Sequence, residues 1–267
     1  MTNILQISDT HLAADNTLVS GRLRTDESLT QLIDRLVDAQ HQWGKIDAVI
    51  VTGDVSDDGS EQSYARFKTL ISALNLPVFV IPGNHDAREP MRDAFRHDGY
   101  LPDAGMLNWH RKIGDIDVIG LDTLIEGHGQ GLLAQESLDY LEQQLATLHN
   151  QPVIIAMHHP PFKTGIAFMD AIGLQNTDAF EAVLRRAQCK EIRAVCGHIH
   201  SMFVTSLASH VVLSSPSPCS GFELDLRTDA PVGYYDREDG CLLHRWCDGF
   251  QSIRIGPKTG KGPFPFG

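Results

Sequence analysis

Basic residues are scarce in this chain. Only 22 Lys and Arg stand against 34 Asp and Glu in 267 residues, a formal charge of −12. That shortage argues against a sequence-independent grip on nucleic acid polymers, which needs clustered cations to neutralise phosphates. A small anionic substrate stays compatible, because bound metal ions reverse the local field. Long apolar runs are missing too: nothing approaches the roughly 18–20 residues that cross a membrane. No charged segment followed by an apolar one precedes the first strand-like run, so neither a membrane span nor a signal peptide is expected. Cysteine is sparse and unpaired in pattern, with five residues in no framework spacing, and Cys241 and Cys247 are too isolated to form a zinc site. Free thiols in a reducing, cytoplasmic setting follow. The 42% hydrophobic content suits a core that needs no disulfides. The length suits one domain over residues 1–267, with 250–267 as an extended C-terminal tail rich in Pro and Gly.

Histidine is abundant, with thirteen in the chain. His41, His97 and His149 lie in polar helical stretches and read as solvated surface. The informative ones sit in special contexts: Asp9-Thr10-His11, Gly83-Asn84-His85-Asp86, His158-His159 and Gly197-His198-Ile199-His200, with His210 close behind.

Apolar periodicity places these segments. Residues 3–8, 46–52, 77–82, 152–157 and 192–196 read as short buried strands. Residues 26–42, with Leu29, Leu32, Ile33, Leu36 and Val37 at helical spacing and Asp26 as N-cap, read as a helix. So do 61–74, 88–98, 134–148 and 176–188, while 107–113 and 116–122 pair around Gly114-Asp115. Strand and helix alternating at these intervals indicate βαβ units and a largely parallel sheet. After His200 the pattern changes to short strands near 202–206, 209–214, 221–226, 231–236 and 241–247, which suggest an antiparallel second sheet.

Each polar motif stands at the carboxyl end of one of the strands. Asp9 and His11 follow 3–8, Gly53-Asp54 follows 46–52, Asn84 follows 77–82, His158 follows 152–157, and His198 and His200 follow 192–196. In open α/β sheets that edge is where ligand sites form. Oxygen and nitrogen donors without thiolate suit Mn, Fe or Zn. The seven donors Asp9, His11, Asp54, Asn84, His158, His198 and His200 exceed the needs of one ion. They fit two ions sharing a carboxylate about 3.5–4 Å apart. Glycines at 53, 83 and 197 let the backbone turn sharply. His158 is preferred to His159 as a donor because it comes first after its strand.

These residues resemble the calcineurin-like metallophosphoesterases, whose pattern runs D-x-H, G-D, G-N-H-D/E, His, G-H-x-H. The resemblance covers residues 3–200, and within the family the chain is similar to the class III cyclic-nucleotide phosphodiesterase and bacterial glycerophosphodiesterase branch. Ile4-Leu5-Gln6-Ile7-Ser8-Asp9-Thr10-His11, His158-His159-Pro160-Pro161-Phe162 and the segment from Gly165 to Leu174 carry that likeness. One departure is Ser220-Gly221, where such relatives often carry His-Gln. The resemblance implies a four-layer αββα sandwich of two mixed sheets flanked by helices, and two divalent ions, Fe or Mn with Zn as the alternative. It implies that Asp9, His11 and His200 bind one ion, that Asn84, His158 and His198 bind the other, and that Asp54 bridges them. His85 would not bind metal. It would stand beside the phosphate as electrostatic stabiliser or general acid, and a metal-activated hydroxide would attack a small phosphodiester such as a 3′,5′-cyclic nucleotide. A glycerophosphodiester is the alternative substrate, and a phosphomonoester a weaker one. Relatives of this kind are often dimers or larger.

Other residues read two ways. Asp86 either orients His85 or a neighbouring donor, or caps the helix at 88–98. Arg22 and Arg24 either reach the substrate or sit in a solvated loop. His159 reads as a pocket wall or a support for the donors, and Phe162, Phe168 and Met169 as pocket lining or as packing beneath a loop.

Overall fold

The computed structural model describes residues 1–236, 240–258, 260, 261 and 264. Strands β1 (Thr2–Ile7), β2 (Ala48–Thr52) and β3 (Val78–Ile81) alternate with helices α1 (Thr25–Ala39), α2 (Glu61–Ile71) and α3 (Arg88–Phe95). β1 and β2 are buried along their whole length. That is why neither shows a regular alternation of apolar and exposed polar residues. A hairpin, β4 (Trp109–Ile113) and β5 (Ile116–Gly120), follows. Then come α4 (Gln135–Thr147), β6 (Pro152–Ala156), a short α5 (Ala167–Ala171), α6 (Thr177–Leu184) and β7 (Glu191–Cys196). The chain ends through β8 (Val204–Leu207), β9 (His210–Ser214), β10 (Gly221–Phe222), β11 (Tyr234–Tyr235), β12 (Cys241–Trp246) and β13 (Phe250–Ile255).

Two large mixed sheets result, ordered β13-β12-β1-β2-β3 and β4-β5-β6-β7-β9-β8. Period-two alternation shows the layering. On β6, Ile154 and Ala156 join the core shared with β1, β2, α1 and α2, while Val153 and Ile155 meet Leu141, Leu145 and Phe180 of α4 and α6. Helices therefore flank two stacked sheets, the expected αββα arrangement.

The late strands depart from expectation. They do not gather into one antiparallel sheet. β9 runs parallel to β7 in the second sheet, β12 pairs antiparallel with β1 in the first, and only β10 and β11 form a small sheet of their own. Short runs carry no mark of which open edge they will extend, so their destination is a tertiary choice. The tail is also shorter than expected: Phe250–Ile255 is an edge strand paired with β12, and several residues of 256–267 lie outside those described. Asp26 is not the cap of α1; Arg24 holds that position with no side-chain cap bond, and Asp26 instead accepts from Arg66 Nη2 at 3.1 Å. Val37 faces solvent. All five cysteines are free.

His244, on β12, is fully buried. Burial, and then the Arg193 charge, push its imidazole down to about 3. The folded chain thus holds it neutral, and acid protonates the unfolded chain first. Stability is therefore intact above about pH 6.5 and falls as pH drops toward 3, by about 1.4 kcal/mol per pH unit for one such group. In urea titrations at pH 7 and pH 5, wild type should lose about 2 kcal/mol more than His244→Gln. Equal losses would show that His244 does not govern the acid limb.

Candidate metal centre

All seven candidate donors converge where the carboxyl ends of β1, β2, β3, β6 and β7 meet. Asp9 and His158 are completely buried, and His11, Asp54, His198 and His200 are buried too. Five of the seven, Asp9, His11, Asp54, His198 and His200, have left-handed backbone, with φ between 44° and 72°. For residues other than glycine this strain costs on the order of 1–3 kcal/mol each and persists only where the surroundings enforce it. The surroundings do so here. Asp9 N–H donates to Gly53 O at 3.0 Å and His11 N–H to Asp54 O at 2.9 Å. His198 N–H donates to both Asp9 carboxylate oxygens, at 3.0 and 3.1 Å. Two glycines are sterically required: a Cβ on Gly53 would overlap the His158 ring, and one on Gly197 would overlap Ser8 Oγ.

Asp9, His11 and His200 form one group of potential donors. His11 Nε2 and His200 Nε2 are 3.2 Å apart, and His200 Nε2 is 3.5 Å from Asp9 Oδ1. Asn84, His158 and His198 form a second. Asn84 Oδ1 is 3.0 Å from His158 Nε2 and 2.9 Å from His198 Nδ1, and those nitrogens are 3.2 Å apart. Asp54 touches both groups, its Oδ2 lying 3.5 Å from His11 Nε2 and 3.4 Å from His158 Nε2.

The donor chemistry fits cations. Three rings spend Nδ1 on outer partners: His11 on Asp57 at 3.1 Å, His158 on Thr52 O at 2.8 Å, and His200 on Ser220 Oγ at 2.8 Å. Such outer bonds set the tautomer and turn Nε2 inward as a lone pair. The inward atoms then face one another, and protons alone satisfy them only by charging the imidazoles. Burial lowers His11, but Asp57, Asp54 and Asp9 outweigh it and hold the ring near 9. His158 is likewise held near 9, by Asp54 and Asp9 against burial. Burial would raise Asp54, yet the charges of His158, His11 and His85 pull it well below the usual carboxylate range. The carboxylates favour positive charge between these groups, and divalent ions would supply it.

His85 stands apart from the donors, half-exposed, with its ring edge-on to His11 at 4.7 Å. Its Nδ1 lies 3.1 Å from Asp57 O, leaving Nε2 free for the cavity. Asp57 escaped the sequence reading. It faces both His11 and His85, and its only signal was an acid three residues after Asp54. Asp86 does not cap α3, whose N-cap is Ala87. Its carboxylate accepts from Gly83 N–H, Val55 N–H, Ser56 N–H and Tyr64 Oη, tying the Asp54 and Asn84 turns together.

His159 is buried behind the donors. Thr123 Oγ1 and Gly129 O occupy its two nitrogens, at 2.8 and 3.1 Å. Burial, then the neighbouring His158, push it down to about 3. Arg22 and Arg24 are exposed, and Arg24 pairs with Glu27. Neither borders the cavity beside the donors, which measures about 270 Å³. That cavity has one polar wall, formed by His11, Asp54, Asn84, His198 and His200 with Asp57, His85 and Ser220, and one apolar wall that includes Leu23, Phe168, Met169, Ile172, Phe222 and Tyr234. Phe162 is not part of it and packs on Phe203 instead.

The family model described as calcineurin-like phosphoesterase matches residues 2–202. The chain is 32% identical over 265 residues to the "Probable glycerophosphodiester phosphodiesterase GpdQ" of Arcobacter nitrofigilis, covering 98% of this chain and 96% of that protein. It is 34% identical to the 3′,5′-cyclic adenosine monophosphate phosphodiesterase CpdA of Pseudomonas aeruginosa, covering 82% and 77% of the two chains. A dimetal phosphatase from Danio rerio superposes with a TM-score of 0.62 at 14% identity, over 96% of this chain and 98% of that one.

Proposed function

The chain belongs to the calcineurin-like phosphoesterases, a family of dinuclear-metal enzymes, and from that premise we propose that it hydrolyses small phosphodiesters with Asp9, His11, Asp54, Asn84, His158, His198 and His200 holding two divalent ions. The observation that carries the reading is Asp54, whose single carboxylate reaches both donor groups. Bound ions supply Lewis acidity and a water acidic enough to ionise near neutral pH. The chain's own residues do the rest. His85 presents Nε2 to the leaving oxygen as proton donor, and Asp57 holds its other nitrogen. Such general-acid help contributes about 10²–10⁴-fold.

Among the described residues no Lys or Arg lines the cavity. A monoester dianion finds no ammonium or guanidinium among those residues. A diester monoanion carrying an apolar or planar group fits both walls. The named activities of the relatives narrow the class to 3′,5′-cyclic nucleotides such as cAMP, with glycerophosphodiesters as the second reading. Fe or Mn suits the mixed nitrogen and oxygen donors, with Zn as the alternative. The same reading carries a cytoplasmic homo-oligomer, a dimer or larger, with contacts at the exposed Leu224, Leu226, Val232 and Tyr235. Sedimentation velocity decides that; a monomer at all concentrations removes it. Among the described residues no helix is long and apolar enough to cross a membrane.

Purified protein should hydrolyse bis(p-nitrophenyl) phosphate, stop on chelation and recover with Mn²⁺. Rates on cyclic AMP, glycerophosphocholine and p-nitrophenyl phosphate, measured side by side, separate the substrate classes. A chelated enzyme that keeps its rate would end the proposal.

A further inference from the structure

The candidate donors come from both sheets. Asp9, His11, Asp54 and Asn84 follow strands of the first; His158, His198 and His200 follow strands of the second. Something must hold the two sheets in register at that end. A buried amide lies there. Gln6, fully buried on β1, donates Nε2–H to Thr52 Oγ1, the last residue of β2, at 2.9 Å, and to Cys196 O, the last residue of β7, also at 2.9 Å. One side chain thus ties three strand ends. Asp9 lies three residues beyond Gln6, Asp54 two beyond Thr52, and His198 two beyond Cys196.

The amide has only one workable orientation. Its Oε1 faces His244 Nε2 at 2.9 Å, and His244 Nδ1 faces Ser252 Oγ at 2.8 Å. Arg193 Nη1, an obligate donor, lies 2.7 Å from the same serine oxygen. Donation therefore runs one way, from Arg193 to Ser252, His244, Gln6 and Thr52. Thr52 Oγ1 then donates to Ser8 Oγ at 2.8 Å, and Ser8 Oγ donates to Thr52 O at 3.2 Å. That carbonyl also accepts from His158 Nδ1 at 2.8 Å, the bond that turns His158 Nε2 inward. Flipping the amide would set N–H against N–H at His244 and oxygen against oxygen at Cys196. A fully satisfied buried network of this kind specifies one arrangement. His244 is neutral at working pH, as the direction of donation requires.

We propose that Gln6 is a positioning residue that sets the gap between the two halves of the metal centre, with His244 fixing the orientation of its amide. The inference rests on the metal-centre reading. Gln6→Leu keeps the volume and removes the three bonds. It should weaken Mn²⁺ binding by about 10–100-fold, the usual cost of losing support behind metal donors, as measured by electron paramagnetic resonance titration. It should also change the exchange-coupled signal of the dimanganese form, which reports ion separation. His244→Leu leaves Oε1 buried without its donor, loosening the amide, and should weaken binding in the same direction, while His244→Gln, which restores a donor to Oε1, should recover most of it. His244→Leu carries the test if Gln6→Leu does not fold. A Gln6→Leu or His244→Leu protein that melts earlier yet binds Mn²⁺ with unchanged affinity and signal would overturn the inference and leave Gln6 a stability residue. A wild-type protein that binds no Mn²⁺ would instead fail the metal-centre reading, so the two failures are told apart.

Discussion

Replacing Asp54 with alanine should abolish measurable phosphodiester hydrolysis and lower metal content. Among the described residues, Asp54 alone has a carboxylate within 3.5 Å of a ring nitrogen in each donor group. Its other oxygen accepts the His85 N–H at 2.9 Å, so the same side chain fixes the turn that presents Asn84 and His85. Alanine removes one of the two carboxylates among the seven candidate donors, and it frees the Asn84 turn. Metal ions contribute several kcal/mol of transition-state stabilisation. At about 1.36 kcal/mol per tenfold in rate, a loss on the order of 10³-fold or more follows. Steady-state rates on bis(p-nitrophenyl) phosphate, with metal counted by mass spectrometry, check it. A variant of normal rate and full metal content would remove Asp54 from the centre.

His85→Ala should behave differently, and the contrast is diagnostic. His85 reaches the cavity but is half-exposed and bonds through Nδ1 to Asp57. Removing it leaves every proposed donor in place, so two ions should still bind. The rate should fall by about 10²–10⁴-fold, the range for general-acid help. The fall should be smaller for p-nitrophenyl esters than for alkyl or ribosyl ones, because a good leaving group needs less protonation. Lost metal would make His85 a donor instead. An equal loss on both kinds of ester would assign it to charge stabilisation rather than proton transfer.

The convergence of the candidate donors was legible in the sequence because each follows a short, largely apolar strand, and parallel strands bring their carboxyl ends together. His158 was preferred to His159 by order alone; in the fold His158 Nε2 faces Asp54 and Asn84, while the two nitrogens of His159 meet Thr123 Oγ1 and Gly129 O. The left-handed backbone at Asp9, His11, Asp54, His198 and His200 was not legible, because only the tertiary bonds described above enforce it. Asp57 was missed because an acid three residues after a donor is ordinary in a turn; only the folded chain sets it between His11 and His85. Asp86 read two ways, as support for His85 or a neighbouring donor and as a helix cap; its four hydrogen-bond donors come from the turns at Asp54 and Asn84 and from Tyr64, so it supports those turns and does not cap. The β strands after His200 carried correct periodicity and no address. Ser220 looked like a bare departure from a pattern; in the fold its hydroxyl holds His200 Nδ1.

The place of β12 beside β1 has a consequence for synthesis. β1 gains β2 early, but its other edge has no partner until residues 241–246 have left the ribosome. An unpaired strand edge is a template for pairing with other chains. The nascent protein therefore carries its most hazardous edge for nearly the whole of translation, and carries it on the strand that leads into Asp9. A chain cut after β9 would contain all seven donors, since the last is His200. It would still lack β12, and with it His244 and the partner that holds β1 in place. Such a fragment should have every ligand and no centre.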